Sequence, residues 1–319
     1  MNMRLRVITN SELSTFRRCQ REHHLAYQLG YRAIEDAEAL RFGTAIHLGL
    51  ESWWKAEGIV VAIARATEHA ADEFEAARLR VLLRGYAARW VAPLPDVEGV
   101  EVEFRAPLLN PETGAPSRTY ALGGKIDVLL KHGLVEHKTT ALEIGPGSTY
   151  WRKLALNAQV STYYTGARSL GIEVDHCLYD VIRKPTIRPL KATPEEARKY
   201  TKDGRLYATQ RAEDETPEAY EERLTEEVAK DPDKYFQRGT VVRLEAEERD
   251  AQLDTWQLTR LMRESELAGR HPRNTDACER YAKMCPFFDV CSGVASLDDP
   301  SRFTRVENVH QELSAESAA

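Results

Sequence analysis

Apolar positions along this chain fall into a helical front, a strand-rich middle and a helical back. From Ser11 to Gly30, Leu13, Phe16, Leu25 and Tyr27 recur at helical spacing; Ser11 or Ser14 is placed to cap the segment and Gly30 to end it. Further helices are predicted from Ala37 to Glu57 and from Val60 to Trp90. Between Gly99 and Lys138 the pattern changes: VEVEFRAPLL, TYALGGKIDVLLK and GLVEHKTT are short, partly alternating and punctuated by Gly and Pro, as in a strand meander. Trp151 to Leu170 returns to helical spacing, and EVDHCLYDVIRKP reads as a strand ending at Pro185. YFQRGTVVRLE reads as a last strand and Glu245 to Ala268 as a last long helix. The charged stretch 191–240 is expected as an insertion carrying a solvated helix, and 301–319 as a flexible polar tail. Together these predict one α/β domain over residues 1–300, with its core at 37–185.

Composition adds limits. With 42% hydrophobic and 29% charged residues, the 319-residue chain is neither disordered nor fibrous. No apolar run reaches membrane-spanning length, and MNMRLRVITNSELSTF has no apolar signal core, so a cytoplasmic protein without a membrane partner is expected. The net charge of −6 means that any nucleic-acid surface must be a local basic patch. Candidates are Arg17, Arg18 and Arg21; Arg152 and Lys153; Arg183, Lys184 and Arg188; and Arg270, His271 and Arg273.

The chemistry concentrates on two neighbouring strands. GGKIDVLL places Asp127 after a Gly pair, and GLVEHKTT places Glu136 and Lys138 two apart on one strand face. A hairpin through Lys131, His132 and Gly133 would bring Asp127 beside Glu136, with the His137 carbonyl close by. Two adjacent carboxylates are costly unless a cation neutralises them. Mg²⁺ or Mn²⁺ suits such oxygen ligands, and a neighbouring lysine suits phosphodiester hydrolysis. Upstream, His47 and Glu51 stand four apart on a helix; downstream, Gln159 and Tyr163 do the same.

In this order the pieces GTxxHxxLE (Gly43 to Glu51), GxxD (Gly124 to Asp127), ExK (Glu136 to Lys138) and QxxxY (Gln159 to Tyr163) resemble the RecB-like branch of the PD-(D/E)XK nuclease superfamily. The resemblance implies a restriction-endonuclease-like mixed sheet flanked by helices. It implies metal ligation by His47, Asp127, Glu136 and the His137 carbonyl, with Lys138 as the catalytic lysine. Gln159 and Tyr163 would position DNA, and Glu51 matches the motif without a clear role. The implied activity is exonuclease action on single strands or DNA ends, in repair, recombination, phage biology or CRISPR adaptation. No helicase motif is present, so unwinding would come from a partner. The alternative is a non-catalytic DNA-binding subunit of such a complex.

Cys278, Cys285 and Cys291 are separated by six and five residues. Three thiolates need a fourth for a closed site, and the remaining cysteines are Cys177, mid-strand, and Cys19, in the first helix. Spacing leaves zinc and iron–sulfur both open, although the paired CxxC knuckles of common zinc modules are missing. Similarity to AddB-type and CRISPR-adaptation nucleases implies a 4Fe–4S cluster on Cys19, Cys278, Cys285 and Cys291. Such a cluster would join the N- and C-terminal helical segments.

Overall fold

The chain enters the fold on a strand that the sequence pattern does not announce. β1 (Arg6–Thr9) is four residues long, and Thr9 caps α1 (Asn10–Arg18), its hydroxyl accepting from the Glu12 N–H at 3.3 Å. Thr9 therefore takes the role expected of Ser11 or Ser14. The helix expected to reach Gly30 breaks at Cys19, whose backbone is extended (φ −157°, ψ 113°). It resumes as α2 (Gln20–His23) and one π-helical turn, His24–Gln28, ahead of β2 (Tyr31–Ala33). The structure, a computed structural model, describes residues 5–34, 38–90, 96–280 and 283–314.

α3 (Glu38–Trp54) is the second expected helix; its expected start at Ala37 lies outside the described residues. The helix expected over 60–90 is two, α4 (Ile59–Thr67) and α5 (Glu73–Trp90). The meander follows as β3 (Val97–Leu109), β4 (Pro116–Leu130) and β5 (Gly133–Thr140). The next helix is also split, into α6 (Thr149–Leu154) and α7 (Ala158–Ser169), because Asn157 caps the second piece by accepting from the Gln159 N–H. Then come β6 (His176–Arg183), α8 (Pro217–Lys230), β7 (Phe236–Val241) and α9 (Glu245–Ala268). A two-residue-strand hairpin, β8 (Glu279–Arg280) and β9 (Lys283–Met284), precedes α10 (Phe288–Ser292) and β10 (Phe303–Arg305).

Six strands form one mixed sheet. β3 runs antiparallel along one edge of β4. The other edge of β4 is shared: β1 lies parallel to Tyr120–Gly123, and β5 pairs antiparallel through Val128↔Val135 and Leu129↔Leu134. Residues 124–127 thus face no strand on that side among the described residues, and the candidate site occupies this opening. β6 continues parallel to β5, and β7 closes the edge antiparallel.

The sheet carries a core on each face. Ile126, Leu134, Tyr164 and Met262 belong to one, with α7 and α9; Ile46, Leu82, Val135 and Phe236 belong to the other, with α3 and α5. α8 corrects the expectation of a solvated insertion helix. Tyr220, Leu224 and Val228, four apart, are buried against α5, and each contributes about 1.5–3 kcal/mol relative to exposure. Residues 184–216 are largely exposed, while β7 is part of the sheet. The stretch after Pro300 also departs from expectation: β10 pairs with β2, and Phe303, His310 and Leu313 are buried. The last five residues lie outside the described residues. No helix among the described residues is long and apolar enough to cross a membrane.

Candidate metal centre

The β4–β5 register, with Val128 opposite Val135, sets Asp127 level with Glu136 at the mouth of the opening. Both carboxylates are buried, 8% and 2% exposed. Asp127 is anchored by the backbone: its Oδ2 accepts from the His137 N–H at 2.7 Å. Its Oδ1 lies 3.6 Å from Nδ1 of His47, delivered by α3 from across the sheet. Gly43 permits that delivery, since a Cβ there would stand 3.3 Å from the Thr139 hydroxyl of β5.

The other carboxylate is held by side chains. Glu136 Oε1 accepts from the Lys138 ammonium and from Gln159 Nε2 at 2.8 Å. Gln159 also accepts from Lys138 Nζ at 3.0 Å and donates to the Tyr163 hydroxyl at 2.7 Å. The helix after β5 therefore ties the Glu136–Lys138 pair together. Tyr163 in turn packs edge-on against Phe104, in the space left by Gly124, where a Cβ would meet that ring at 2.7 Å.

Electrostatics separate the two acids. For Asp127, burial favours the neutral form, but the facing His47, together with His137 and Lys138, outweighs it and holds the carboxyl well below the usual range. Glu136 goes the other way, raised by burial and then by the charge of Asp127. The His47 imidazole is raised because Asp127 overrides the cost of burial. Lys138 is raised as well: burial opposes its charge, but Glu136 and Asp127 dominate, so the amine is an ammonium at neutral pH. The His137 ring points to the opposite face, against Trp54 and 3.6 Å from Asp180, and burial lowers its pKa to about 4.

One candidate falls outside. Glu51 is engaged by Lys55 at 2.6 Å and Arg65 at 3.6 Å, as a surface ion pair. One residue was missed. Glu101 of β3 brings an oxygen into a set with His47 and Asp127 whose atoms all lie within 4.8 Å of one another. Its φ of 57° is unusual for a residue with a side chain, and only the strand register, not its VEGVEVE surroundings, reveals it.

The family model of the PD-(D/E)XK nuclease superfamily matches residues 7–292. The chain belongs to this superfamily. No curated protein matches it. Membership makes the protein one of a group of metal-dependent nucleases with DNA as the implied substrate, and the residues present fit a divalent cation. The His47, Glu101 and Asp127 donors converge within 4.8 Å of one another, a group that does not include the predicted ligand Glu136, whose Oε2 is nevertheless buried with no hydrogen-bond partner, a costly state that a cation would relieve.

Elsewhere in the chain, Cys19, Cys278, Cys285 and Cys291 line one cavity of about 140 Å³, together with Glu22, Arg273 and Asn274. Cys19 stands at the break between α1 and α2, and the Asn274 N–H points at its sulfur from 3.5 Å. Among the described residues no three sulfurs come within 4.8 Å of one another. Burial pushes the Cys285 thiol up to about 11 and raises Cys291. Cys177 is fully buried in β6, away from this cavity's lining. Several expected basic residues are already committed: Arg18 pairs with Glu22, and Arg183 with Glu143 at 2.7 Å. Arg273 donates to the Cys291 carbonyl at 2.8 Å. Arg152 and Lys153 stay exposed just ahead of α7.

Proposed function

We propose that the protein is a Mg²⁺- or Mn²⁺-dependent deoxyribonuclease, acting as an exonuclease on single strands or DNA ends. His47, Asp127, Glu136 and the His137 carbonyl would hold the cation. The observation that carries this reading is the convergence of His47 on Asp127 at 3.6 Å, one residue along the β4–β5 register from a Glu136 whose second oxygen is buried without a hydrogen-bond partner. When bound, the cation supplies Lewis-acid polarisation of the phosphate and acidifies an attacking water. The chain's own residues do the rest. Lys138, an ammonium held by Glu136 and Gln159, places positive charge where the phosphate develops negative charge, and so serves as an electrostatic stabiliser rather than a base. Gln159, fixed from behind by Tyr163, keeps that ammonium from swinging away. Arg152 and Lys153 offer phosphate contacts at the approach to α7, with binding that weakens as salt rises.

The same reading assigns an iron–sulfur cluster to Cys19, Cys278, Cys285 and Cys291. Its support is that one cavity gathers one early and three late cysteines. A single zinc ion would hold each sulfur at about 2.3 Å, a tighter grouping than these cysteines make, no three of whose sulfurs lie within 4.8 Å of one another, whereas a cluster separates its thiolates by its own irons and sulfides.

The catalytic assignment is tested with end-labelled single-stranded DNA and Mn²⁺. Wild type should degrade it, while Asp127→Ala and Lys138→Ala should each lose on the order of 10²–10⁴ in rate. Equal cleavage by all three proteins removes the assignment. DNA binding without cleavage by wild type would instead favour a non-catalytic subunit.

A further inference from the structure

Glu101 belongs to no motif, yet the fold singles it out. Val100 lies opposite Val128 and Val102 opposite Ile126, so the register sets Glu101 directly across from Asp127. Facing carboxylates on paired strands repel unless a cation lies between them. Two cations compete for that position. One is Lys125, two residues before Asp127, whose ammonium pairs with the Glu101 carboxylate. The other is a divalent ion, for which His47, Glu101 and Asp127 already present converging donors. On the neighbouring strand β5, Glu136 keeps one buried oxygen without any hydrogen-bond partner, a second, independent sign of an unmet charge at this end of the sheet.

We propose that Glu101 is a further ligand of the divalent cation and that Lys125 is its placeholder in the metal-free protein. On cation entry the Glu101 carboxylate exchanges the ammonium for the metal, and Lys125 swings out toward solvent, where it is already one-third exposed (32%). The exchange explains why a lysine sits at a site built to take a like charge: it prevents repulsion between Glu101 and Asp127 until the metal arrives. This inference rests on the metal-dependent reading above.

The test is isothermal titration of the full chain with MnCl₂ at constant pH and salt. Glu101→Gln should weaken Mn²⁺ binding by ~10-fold or more. Glu103→Gln, which removes the same charge two residues along the strand, should change it by less than about twofold. Lys125→Met should tighten binding, because the competing ammonium is gone. A merely structural Glu101–Lys125 ion pair would move both of its variants the same way, in step with a lower melting temperature. Opposite shifts for Glu101→Gln and Lys125→Met support the exchange; shifts of the same sign overturn it, as does a Glu101→Gln variant that binds like Glu103→Gln. Wild type that takes up no Mn²⁺ overturns the metal reading itself, whereas a binding wild type matched by Glu101→Gln overturns this inference alone.

Discussion

At the scale of single residues, the site sets two buried carboxylates, an imidazole and an ammonium close together. His47 and the His137 N–H hold Asp127 ionised, while Glu136, buried and facing that charge, is pushed up to about 7. The sign for metal binding follows. Below about 7 Glu136 carries a proton that a cation must displace, and the raised His47 competes in the same direction, whereas Asp127 stays ionised throughout. Lys138 remains an ammonium, and Gln159 and Tyr163 do not titrate there. Mn²⁺ affinity should therefore fall as pH drops from 8 to 6, by up to about tenfold per unit below the Glu136 midpoint. Titrations in buffers of differing ionisation enthalpy should also register proton release. A flat affinity across this range contradicts the assignment of Glu136 as a ligand. These residues were legible in the sequence because each carries unusual chemistry at a readable spacing: Glu136 and Lys138 two apart on a strand, and His47 four residues after Gly43. Glu101 was not, because a glutamate in an alternating edge strand looks like any solvated residue until the register places it across from Asp127.

At the scale of elements, close packing sets where those residues stand. The Phe104 ring lies between β4 and α7, and a Cβ added at Gly166 would meet it at 2.6 Å. The ring cannot give way without disturbing Tyr163, which it touches edge-on. Gly166→Ala should therefore cost about 1–3 kcal/mol in chemical denaturation and lower cleavage more than substrate affinity, since α7 carries Gln159. Gly171→Ala is a useful contrast, because space is open there and its φ of 81° supplies only backbone strain. Element types were largely readable from periodicity, but breaks were not. Cys19 and residues 155–157 interrupt helical patterns whose apolar spacing continues across them, because Asn157 and the extended Cys19 satisfy local hydrogen bonds that spacing does not encode. β1 was too short to show alternation. In α8 the apolar residues Tyr220, Leu224 and Val228 were masked by the glutamates between them, so a packed helix read as a solvated one.

At the scale of the whole molecule, the two chain ends meet around the cysteines. Pro272 accepts from the Arg21 N–H at 3.1 Å, Asn274 holds the Arg18 carbonyl at 2.9 Å, and Phe287 and Phe303 stack over Leu25 in a small core of their own. A cluster on Cys19 and the three late cysteines would close a loop of most of the chain, and its binding energy would become folding energy. Freshly purified protein should accordingly be brown, with an absorbance shoulder near ~400 nm. Cys291→Ala should lose that colour and melt at lower temperature while Mn²⁺ binding at the His47–Asp127 site, which shares no residue with the cysteine cavity, persists. A colourless protein holding stoichiometric zinc would reverse the metal. The cysteine spacing left zinc and iron–sulfur both open, because the separation of the sulfurs is set only by the fold.

The proposed function stands or falls with one hard cation held by His47, Asp127 and Glu136. Anomalous diffraction from a crystal grown with Mn²⁺ tests it most directly. A single strong peak is expected in the opening between β1 and β5, roughly 2.0–2.2 Å from a His47 nitrogen and from oxygens of Asp127 and Glu136. A fully occupied peak elsewhere, with these three side chains still turned away from any ion, would contradict it.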